Sequence, residues 1–226
     1  MRIYNVETTN YCNANCDYCP YPKMTRAKGF MSMKTFNKVL EKQELNFMEL
    51  HNFGEPLIDP QIFKFIKMAK QAGFKTQLST NGLLLNRDMF SKLADAGLDL
   101  MWVSIRHYFN QVEKTLDELY LEYSKKIEII IYYVELPKRM RNLPKQWKVT
   151  RLIPHTWSKQ IEGVPFTMRN ESCFNLREKA VTVLWDGRVS NCCHDFDGKY
   201  IIGMIDDEGL EPKVVELCRS CEFYHE

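Results

Sequence analysis

Up to about residue 160 the chain alternates short apolar segments with amphipathic segments, a pattern that predicts repeated βα units. After a longer first interval, the starts of the predicted strands lie 21 to 27 residues apart. This spacing is typical of strands joined by helices on a parallel sheet. The six predicted strands are residues 3–9, 47–53, 74–80, 100–105, 127–134 and 148–153.

The segments between these strands show the spacing of apolar residues expected of helices. The second segment has the sharpest boundaries, with Asp59 as the expected N-cap, Pro60 as the first helical residue and Gly73 as the stop. The fifth helix is expected to be short or missing, because Pro137 and Pro144 bracket a basic stretch. The other predicted helices lie near residues 34–43, 88–96 and 111–123.

Beyond about residue 160 the pattern changes. Residues 180–192 predict a β-hairpin, because alternating apolar positions run up to Asp186-Gly187, a strong two-residue turn signal. We therefore expect a βα core over residues 1–158 and a small cap over residues 159–226.

Composition adds the class of protein. The chain has 226 residues, 45% hydrophobic and 27% charged, as expected of a soluble globular protein. A net charge of +2 gives no argument for nucleic acid or membrane as a partner. No apolar run reaches transmembrane length, and the N-terminus leads into a strand rather than a signal peptide. Eight cysteines without an export signal predict a reducing, cytoplasmic location and metal ligation instead of disulfides.

Three cysteines follow the first predicted strand in a CxxxCxxC spacing, Cys12, Cys16 and Cys19. Thiolates at this spacing bind iron or zinc. A structural zinc site needs a fourth ligand, for which His51 is a candidate, whereas a four-iron cluster held by three cysteines keeps one iron open.

The spacing, with Tyr18 before the third cysteine, resembles that of the radical S-adenosylmethionine (SAM) enzymes. The resemblance implies a partial (β/α)6 parallel barrel of α/β class, with SAM chelated by the open iron of a 4Fe–4S cluster. It implies that Tyr18 lies near the adenine.

Motifs at three further strand ends extend the resemblance. Residues 52–57 resemble the GGEP motif, with Phe53 in place of its first glycine, and residues 79–82 resemble the S/T-x-N-G signature. The fourth strand resembles VSxD, with Arg106 in place of the acid. A turn junction and self-capping side chains are the structural alternatives. The resemblance implies these SAM-binding residues: Gly54, Glu55, Ser79, Asn81 and Ser104, besides Tyr18.

Four residues beside the expected mouth of the barrel are candidates for catalysis. Arg151 matches a region where related enzymes often anchor substrate, and His107, Glu135 and His155 are candidate bases by position. Surface or structural roles are the alternative for each. The basic stretch at residues 138–141 is compatible with a carboxylate or phosphate substrate, or with a solvated surface.

Five cysteines lie in the cap, one more than a four-ligand site needs. Their order around the hairpin resembles the SPASM and shortened, twitch-like auxiliary-cluster domains. The resemblance implies that a second 4Fe–4S cluster is held by Cys173, Cys192, Cys218 and Cys221, with Cys193 left over. A four-cysteine zinc site is the alternative.

The resemblance implies reductive cleavage of SAM to a 5′-deoxyadenosyl radical, hydrogen abstraction from a small polar substrate, and oxidation through the auxiliary cluster. A flavodoxin or ferredoxin-type reductant is the expected partner. Two enzymatic alternatives are a peptide-modifying maturase, which crosslinks or epimerises a precursor or short peptide, and an activase of a partner enzyme. The non-enzymatic alternative is a zinc-binding interaction module.

Overall fold

A computed structural model of the protein describes residues 1–105, 109–133, 144–151, 156–164 and 166–225. Within these ranges, nine strands form one sheet in the order β6-β5-β4-β3-β2-β1-β7-β8-β9. The strands are β1 Ile3–Val6, β2 Phe47–Glu49, β3 Lys75–Thr80, β4 Leu100–Ile105, β5 Glu128–Tyr133, β6 Lys148–Arg151, β7 Val181–Val183, β8 Arg188–Ser190 and β9 Ile201–Met204. The helices are α1 Met33–Lys42, α2 Ile62–Gln71, α3 Arg87–Ala96, α4 Phe109–Tyr123, α5 Phe174–Glu178 and α6 Glu216–Arg219.

The six predicted strands and four predicted helices of the core are confirmed, with shorter ends in most cases. Strands β1 to β6 are parallel, and helices connect β1 to β5 in sequence. The expected fifth helix falls on residues 134–143, which lie outside the described residues. The α/β class and the partial parallel barrel are therefore the observed architecture.

Two faces of the parallel sheet differ in polarity because strand side chains alternate. In β3, Thr76, Leu78 and Thr80 are buried toward the helices, whereas Gln77 and Ser79 face the concave side and stay partly exposed. The helix side holds the apolar core, in which Phe36 of α1 stacks on Phe65 of α2 with ring centroids 4.2 Å apart. The concave side is left for polar groups.

The cap extends the sheet of the core. Strand β7 pairs in parallel with β1, and β8 and β9 follow as antiparallel strands. The hairpin is confirmed, but its turn is longer than the predicted two residues: Gly187 N–H donates to Leu184 O at 2.9 Å, and Leu184 N–H donates to Arg188 O at 2.9 Å. Gly187 has a φ of +86°, the left-handed residue that ends such a three-residue loop.

The predicted start of α2 is wrong by two residues. Gln61 is the N-cap, and Asp59 Oδ1 accepts from Gln61 N–H at 2.8 Å in a turn that precedes the helix. An Asp side chain that bonds two residues ahead stabilises a local turn instead of the first helical turn.

Within the described ranges, no helix is both long and apolar enough to cross a bilayer.

Candidate active site

The loop of residues 12–19, the cysteine loop, follows β1 and is held from both sides. Asn10 is fully buried, and its side chain donates to Ala27 O and accepts from Gly29 N–H, each at 2.9 Å. Tyr21 Oη accepts from Cys12 N–H at 3.0 Å. The Asn10 amide and the Tyr21 hydroxyl therefore hold the loop through hydrogen bonds within the protein.

The three loop cysteines line one cavity of about 160 Å³, called here the thiol pocket. Burial raises the pKa of the Cys12 thiol, so a thiolate at this position needs a compensating positive charge. Iron supplies such a charge. The predicted SAM-binding residues that line the thiol pocket with the cysteines are Gly54, Glu55, Ser79, Asn81 and Ser104.

Gly54 packs directly on the start of the cysteine loop. Its φ is +101°, and a Cβ at this position would lie 2.6 Å from Thr9 O and 2.9 Å from Tyr11 O. The next residue, Glu55, donates its N–H to Tyr11 O at 2.7 Å. This junction requires glycine, because both the backbone conformation and the space exclude a side chain.

The carboxylate of Glu55 is buried and accepts hydrogen bonds from neighbouring protein groups. It is 1% exposed and accepts from Leu57 N–H at 3.1 Å, Thr80 Oγ1 at 2.8 Å and Asn81 N–H at 2.7 Å. Burial raises its pKa. Glu55 therefore joins the ends of β2 and β3, a positioning role that the motif resemblance alone did not indicate.

Asn81 and Ser79 connect to different neighbours. Asn81 Nδ2 donates to Asn13 Oδ1 at 2.8 Å and lies 3.9 Å from Cys12 Sγ, so it borders the cysteine loop. Ser79 donates its backbone N–H to His51 Nδ1 at 3.1 Å. Tyr18 contributes its carbonyl, which accepts from the Trp157 indole N–H at 2.9 Å.

A second cavity of about 790 Å³, the large cavity, lies on the concave side of the sheet. Strand residues Asn5, Glu49 and Tyr132 line it from the core, while cap cysteines line it from the other side. The residues that line both this cavity and the thiol pocket are His51, Asn52, Ser79 and Trp157. The two cavities are therefore neighbours with a common wall.

Four of the five cap cysteines, Cys173, Cys192, Cys193 and Cys221, line the large cavity. Burial raises the pKa of Cys173 and Cys218, and that of Cys221 to about 11. A side-chain hydrogen bond with Cys193, together with burial, raises the pKa of Cys192 well above its usual value. All eight cysteines are described, and none forms a disulfide.

The separations of possible ligand atoms show how compact each group of side chains is. Four thiolates around one zinc lie about 4 Å apart, because each Zn–S bond is about 2.3 Å. Among the described residues, one group offers three possible ligand atoms within 4.8 Å of one another: His194, Cys221 and Glu222. Within the described ranges, no three of the loop thiols or of the cap thiols all lie within this distance of one another.

The chain between β6 and the cap is held in an unusual conformation. Trp157, Ser158 and Lys159 have φ values of +51°, +61° and +61°. Such residues are strained and persist where their surroundings hold them. Glu222, buried next to Cys221, accepts from the N–H of Thr156, from its Oγ1 at 2.5 Å and from Ser158 N–H at 3.2 Å.

This strained turn places Trp157 between the two cysteine groups. Its ring lies 5.2 Å from Phe53, beside the thiol pocket, and 5.1 Å from His194, next to the cap cysteines. Burial lowers the pKa of His194 to about 4, so the ring is neutral, and its Nδ1 lies 3.1 Å from Ser158 Oγ.

A buried ion pair lies at a second contact, between the cap and the segment that follows the cysteine loop. Arg26 Nη1 donates to Glu7 Oε1 at 2.7 Å and Nη2 to Oε2 at 2.5 Å, and Arg26 Nε donates to Phe196 O at 2.7 Å. Both charged side chains are almost fully buried. Sequence reasoning missed this pair, because nothing local distinguishes it from surface charges.

Several predicted site residues are outside the described parts of the structure. They are Arg106, His107, Glu135 and His155, together with the side chain of Arg151. Their roles as substrate anchor or base remain predictions.

The sequence analysis did not single out Glu49 as a cavity residue. The alternation of Met48 and Leu50 with Glu49 and His51 was a signal for it.

Comparison with known proteins gives two family matches. The sequence model of the radical SAM superfamily matches residues 6–135, more than half of the chain. The SPASM model, described as an iron–sulfur cluster-binding domain, matches residues 173–214, which include Cys173, Cys192 and Cys193.

Similar proteins agree with these matches. A tungsten-containing aldehyde ferredoxin oxidoreductase cofactor-modifying protein of Pyrococcus furiosus is 31% identical over 109 residues, 46% of this chain and 31% of its own length. A PqqA peptide cyclase of Bradyrhizobium diazoefficiens is 32% identical over 138 residues, 58% of this chain and 35% of its own length. The chain thus spans about a third of the length of these relatives.

A solved structure with the same fold is that of BtrN in complex with AdoMet and 2-DOIA. It is 21% identical, covers 92% of this chain and 81% of its own, and superposes with a TM-score of 0.63.

Proposed function

The chain belongs to the radical SAM superfamily, and from this premise we propose that it is an enzyme that oxidises a small polar substrate. Its cofactors are SAM, a 4Fe–4S cluster and auxiliary iron–sulfur in the SPASM segment. We propose that Cys12, Cys16 and Cys19 hold the first cluster. The proposed ligands of the auxiliary cluster are Cys173, Cys192, Cys218 and Cys221, with a division between core and cap near residue 158.

When bound, these groups would supply a 5′-deoxyadenosyl radical that removes a substrate hydrogen atom and, in the cap, an acceptor for one electron. The chain's own residues hold and orient the reactants. Glu55 and Gly54 fix the loop that borders the thiol pocket, and Asn81 borders the cysteine loop. An electron for SAM cleavage would come from a flavodoxin or ferredoxin-type reductant.

The observation that carries the proposal is the position of the large cavity. It borders the thiol pocket through His51, Asn52, Ser79 and Trp157, and it reaches Cys173, Cys192 and Cys221 on its other side. A substrate there would lie between the radical source and the electron acceptor. That order suits a two-electron oxidation, in which a hydrogen atom, a proton and an electron leave the substrate. The cavity volume also suits a small molecule.

Peptide modification is the second candidate function. Proteins named PqqA peptide cyclase are among the relatives, which favours a peptide substrate. Neighbours in fold include both BtrN, solved with AdoMet and 2-DOIA, and anSMEcpe, solved with AdoMet and the Cp18Cys peptide. The position of the large cavity, and not the shared fold, therefore favours the small molecule.

A test that needs no known substrate uses cells grown in deuterated water. Their extract is divided by dialysis into a small-molecule fraction and a retained peptide fraction, and each is incubated with the reduced holoenzyme and SAM. We expect deuterium to appear in 5′-deoxyadenosine, measured by mass spectrometry, with the small-molecule fraction. Deuterium only with the peptide fraction would favour the second candidate, and none with either would contradict the proposal. Cys16→Ala is the control that abolishes cleavage itself.

A further inference from the structure

The concave side of the sheet carries a row of polar side chains at the base of the large cavity. Asn5 of β1 is the register partner of Glu49 of β2, which is the register partner of Gln77 of β3. All three line the large cavity. Closed parallel barrels usually fill such layers with branched apolar residues, so a polar row here indicates a binding surface.

Two of these polar groups are buried without the partners that buried groups normally have. Asn5 is 6% exposed; its Nδ2 donates to His51 O, but its Oδ1 has no hydrogen bond within the described ranges. Glu49 is 5% exposed, and in the same ranges the His51 ring is the polar contact of its carboxylate. An acceptor left in this state is costly unless a ligand donates to it.

His51 completes this group, which we call the floor site (Asn5, Glu49 and His51). Its Nδ1 lies 2.5 Å from Glu49 Oε1 and near Ser79 N–H. Glu49 is the acidic residue of the floor site, and its buried Oε1 has no hydrogen bond in the described ranges. As a carboxylate, Glu49 brings one formal negative charge to the floor site.

The other groups around the cavity determine which end of a ligand meets the floor site. Trp102 and Tyr132 stack with centroids 4.6 Å apart and offer a flat apolar wall. Burial, followed by the charges of Glu49 and Glu171, raises the pKa of Tyr132.

The remaining charged residues lie on the cap side of the cavity. Arg169, Glu171 and Arg177 line it there. Glu171 and Arg177 are exposed, and Arg177 Nε donates to Glu178 Oε1 at 3.1 Å. Arg177 therefore has an acidic partner within its own helix, α5.

We propose that the floor site anchors the substrate through a hydrogen-bond donor, an ammonium or hydroxyl group on a ring-sized molecule, and disfavours carboxylates and phosphates. This inference rests on the proposed function, because it assigns the large cavity to the substrate. The anchored group is thus different in charge from the carboxylate or phosphate that the basic stretch at residues 138–141 would suggest.

Three sugars that differ in charge at one position serve as probes: glucosamine, glucose and glucuronate. Their binding to anaerobic, SAM-loaded, oxidised protein is measured by calorimetry without reductant. We expect glucosamine to bind at least about tenfold more tightly than glucuronate, with glucose between them. Equal affinities, a preference for glucuronate, or no binding of any probe would overturn the proposal.

Two variants assign the preference to Glu49. Glu49→Gln should bring the affinity ratio close to one, whereas Glu171→Gln, which removes the same charge from the exposed rim, should leave it nearly unchanged. Asn5→Asp should increase the ratio, and this holds as a test if Glu49→Gln does not fold. An unchanged ratio in the Glu49 and Asn5 variants contradicts the proposal.

Because no reductant is present, this selectivity is measured independently of SAM cleavage. Loss of 5′-deoxyadenosine formation would therefore contradict the proposed function without affecting the binding result, and the reverse holds as well.

Discussion

Trp157 donates its indole N–H to the carbonyl of Tyr18, so a residue that precedes the cap holds the cysteine loop between Cys16 and Cys19. The same ring contacts Phe53 on one side and His194 on the other. Trp157 is therefore a shared wall of the two cavities and a contact between the two groups of cysteines.

Trp157→Phe should weaken this connection while keeping the ring contacts. The lost hydrogen bond is worth about 0.5 to 1.5 kcal/mol, which should lower the anaerobic urea midpoint of the holoprotein. Trp185→Phe is the matched control, since it removes a longer bond of 3.2 Å to the exposed Ala27 carbonyl and should cost less. Equal midpoints for the two variants would contradict the role given to Trp157.

Arg26→Met should destabilise the protein strongly, because it leaves the Glu7 carboxylate buried without its partner. Breaking a buried pair in this way costs about 3 to 5 kcal/mol, measured as a fall in the urea midpoint. The double variant Arg26→Met with Glu7→Gln should recover part of the loss. Lys92→Met removes an exposed pair with Asp88 and should change the midpoint little. A loss in Arg26→Met no larger than in Lys92→Met would show that the buried pair is dispensable.

Gly54→Ala should reduce iron content as well as stability. Backbone strain at its φ of +101° costs about 1 kcal/mol, and the clash with Thr9 O and Tyr11 O would push the cysteine loop away. Gly209→Ala isolates the strain, because Gly209 has a φ of +69° and open space around it. We expect iron per chain, determined after anaerobic reconstitution, to fall in Gly54→Ala only. Normal iron binding in both would contradict the packing argument.

Asp59 should make stability depend on pH. Burial raises its pKa from 3.8 to about 6, and its Oδ2 has no hydrogen bond within the described ranges. The folded protein thus keeps this proton where the unfolded chain has lost it. The contribution of Asp59 to stability is complete below pH 3.8 and is lost as the pH rises through about 6.

Asp59→Asn should therefore stabilise the protein above about pH 6, by about 1 to 3 kcal/mol, and the gain should disappear in acid. Thermal midpoints across this pH range provide the measurement. The exposed Asp117→Asn, which removes the same charge from α4, should show no such trend. A gain for Asp59→Asn that is constant with pH would disprove the titration.

The sequence predicts the core well because its signals are local. Alternation in Lys75–Thr80 and helical spacing in Arg87–Ala96 depend on neighbours within a few residues. The spacing of Cys12, Cys16 and Cys19 is local in the same sense. The start of α2 was wrong because Asp59 has two local bonding options that the sequence does not rank.

Long-range contacts explain what the sequence did not reveal. The parallel pairing of β1 with β7 joins Ile3 to Val181, and no pattern within either segment specifies its partner. Likewise, Glu222 looks like any acid near a chain end until the fold brings Thr156 and Ser158 to its carboxylate. Such contacts between segments that are distant in sequence determine how far apart the two cysteine groups lie.

The most direct test of the central claim is the amount of iron, acid-labile sulfide and zinc per chain after anaerobic purification. It is measured in the wild type and in a variant with Cys12, Cys16 and Cys19 all replaced by Ala. We predict about eight irons in the wild type and about four in the variant, because a separate cluster remains in the cap. About four irons falling to none, with about one zinc retained, would contradict the auxiliary cluster and with it the proposed oxidation.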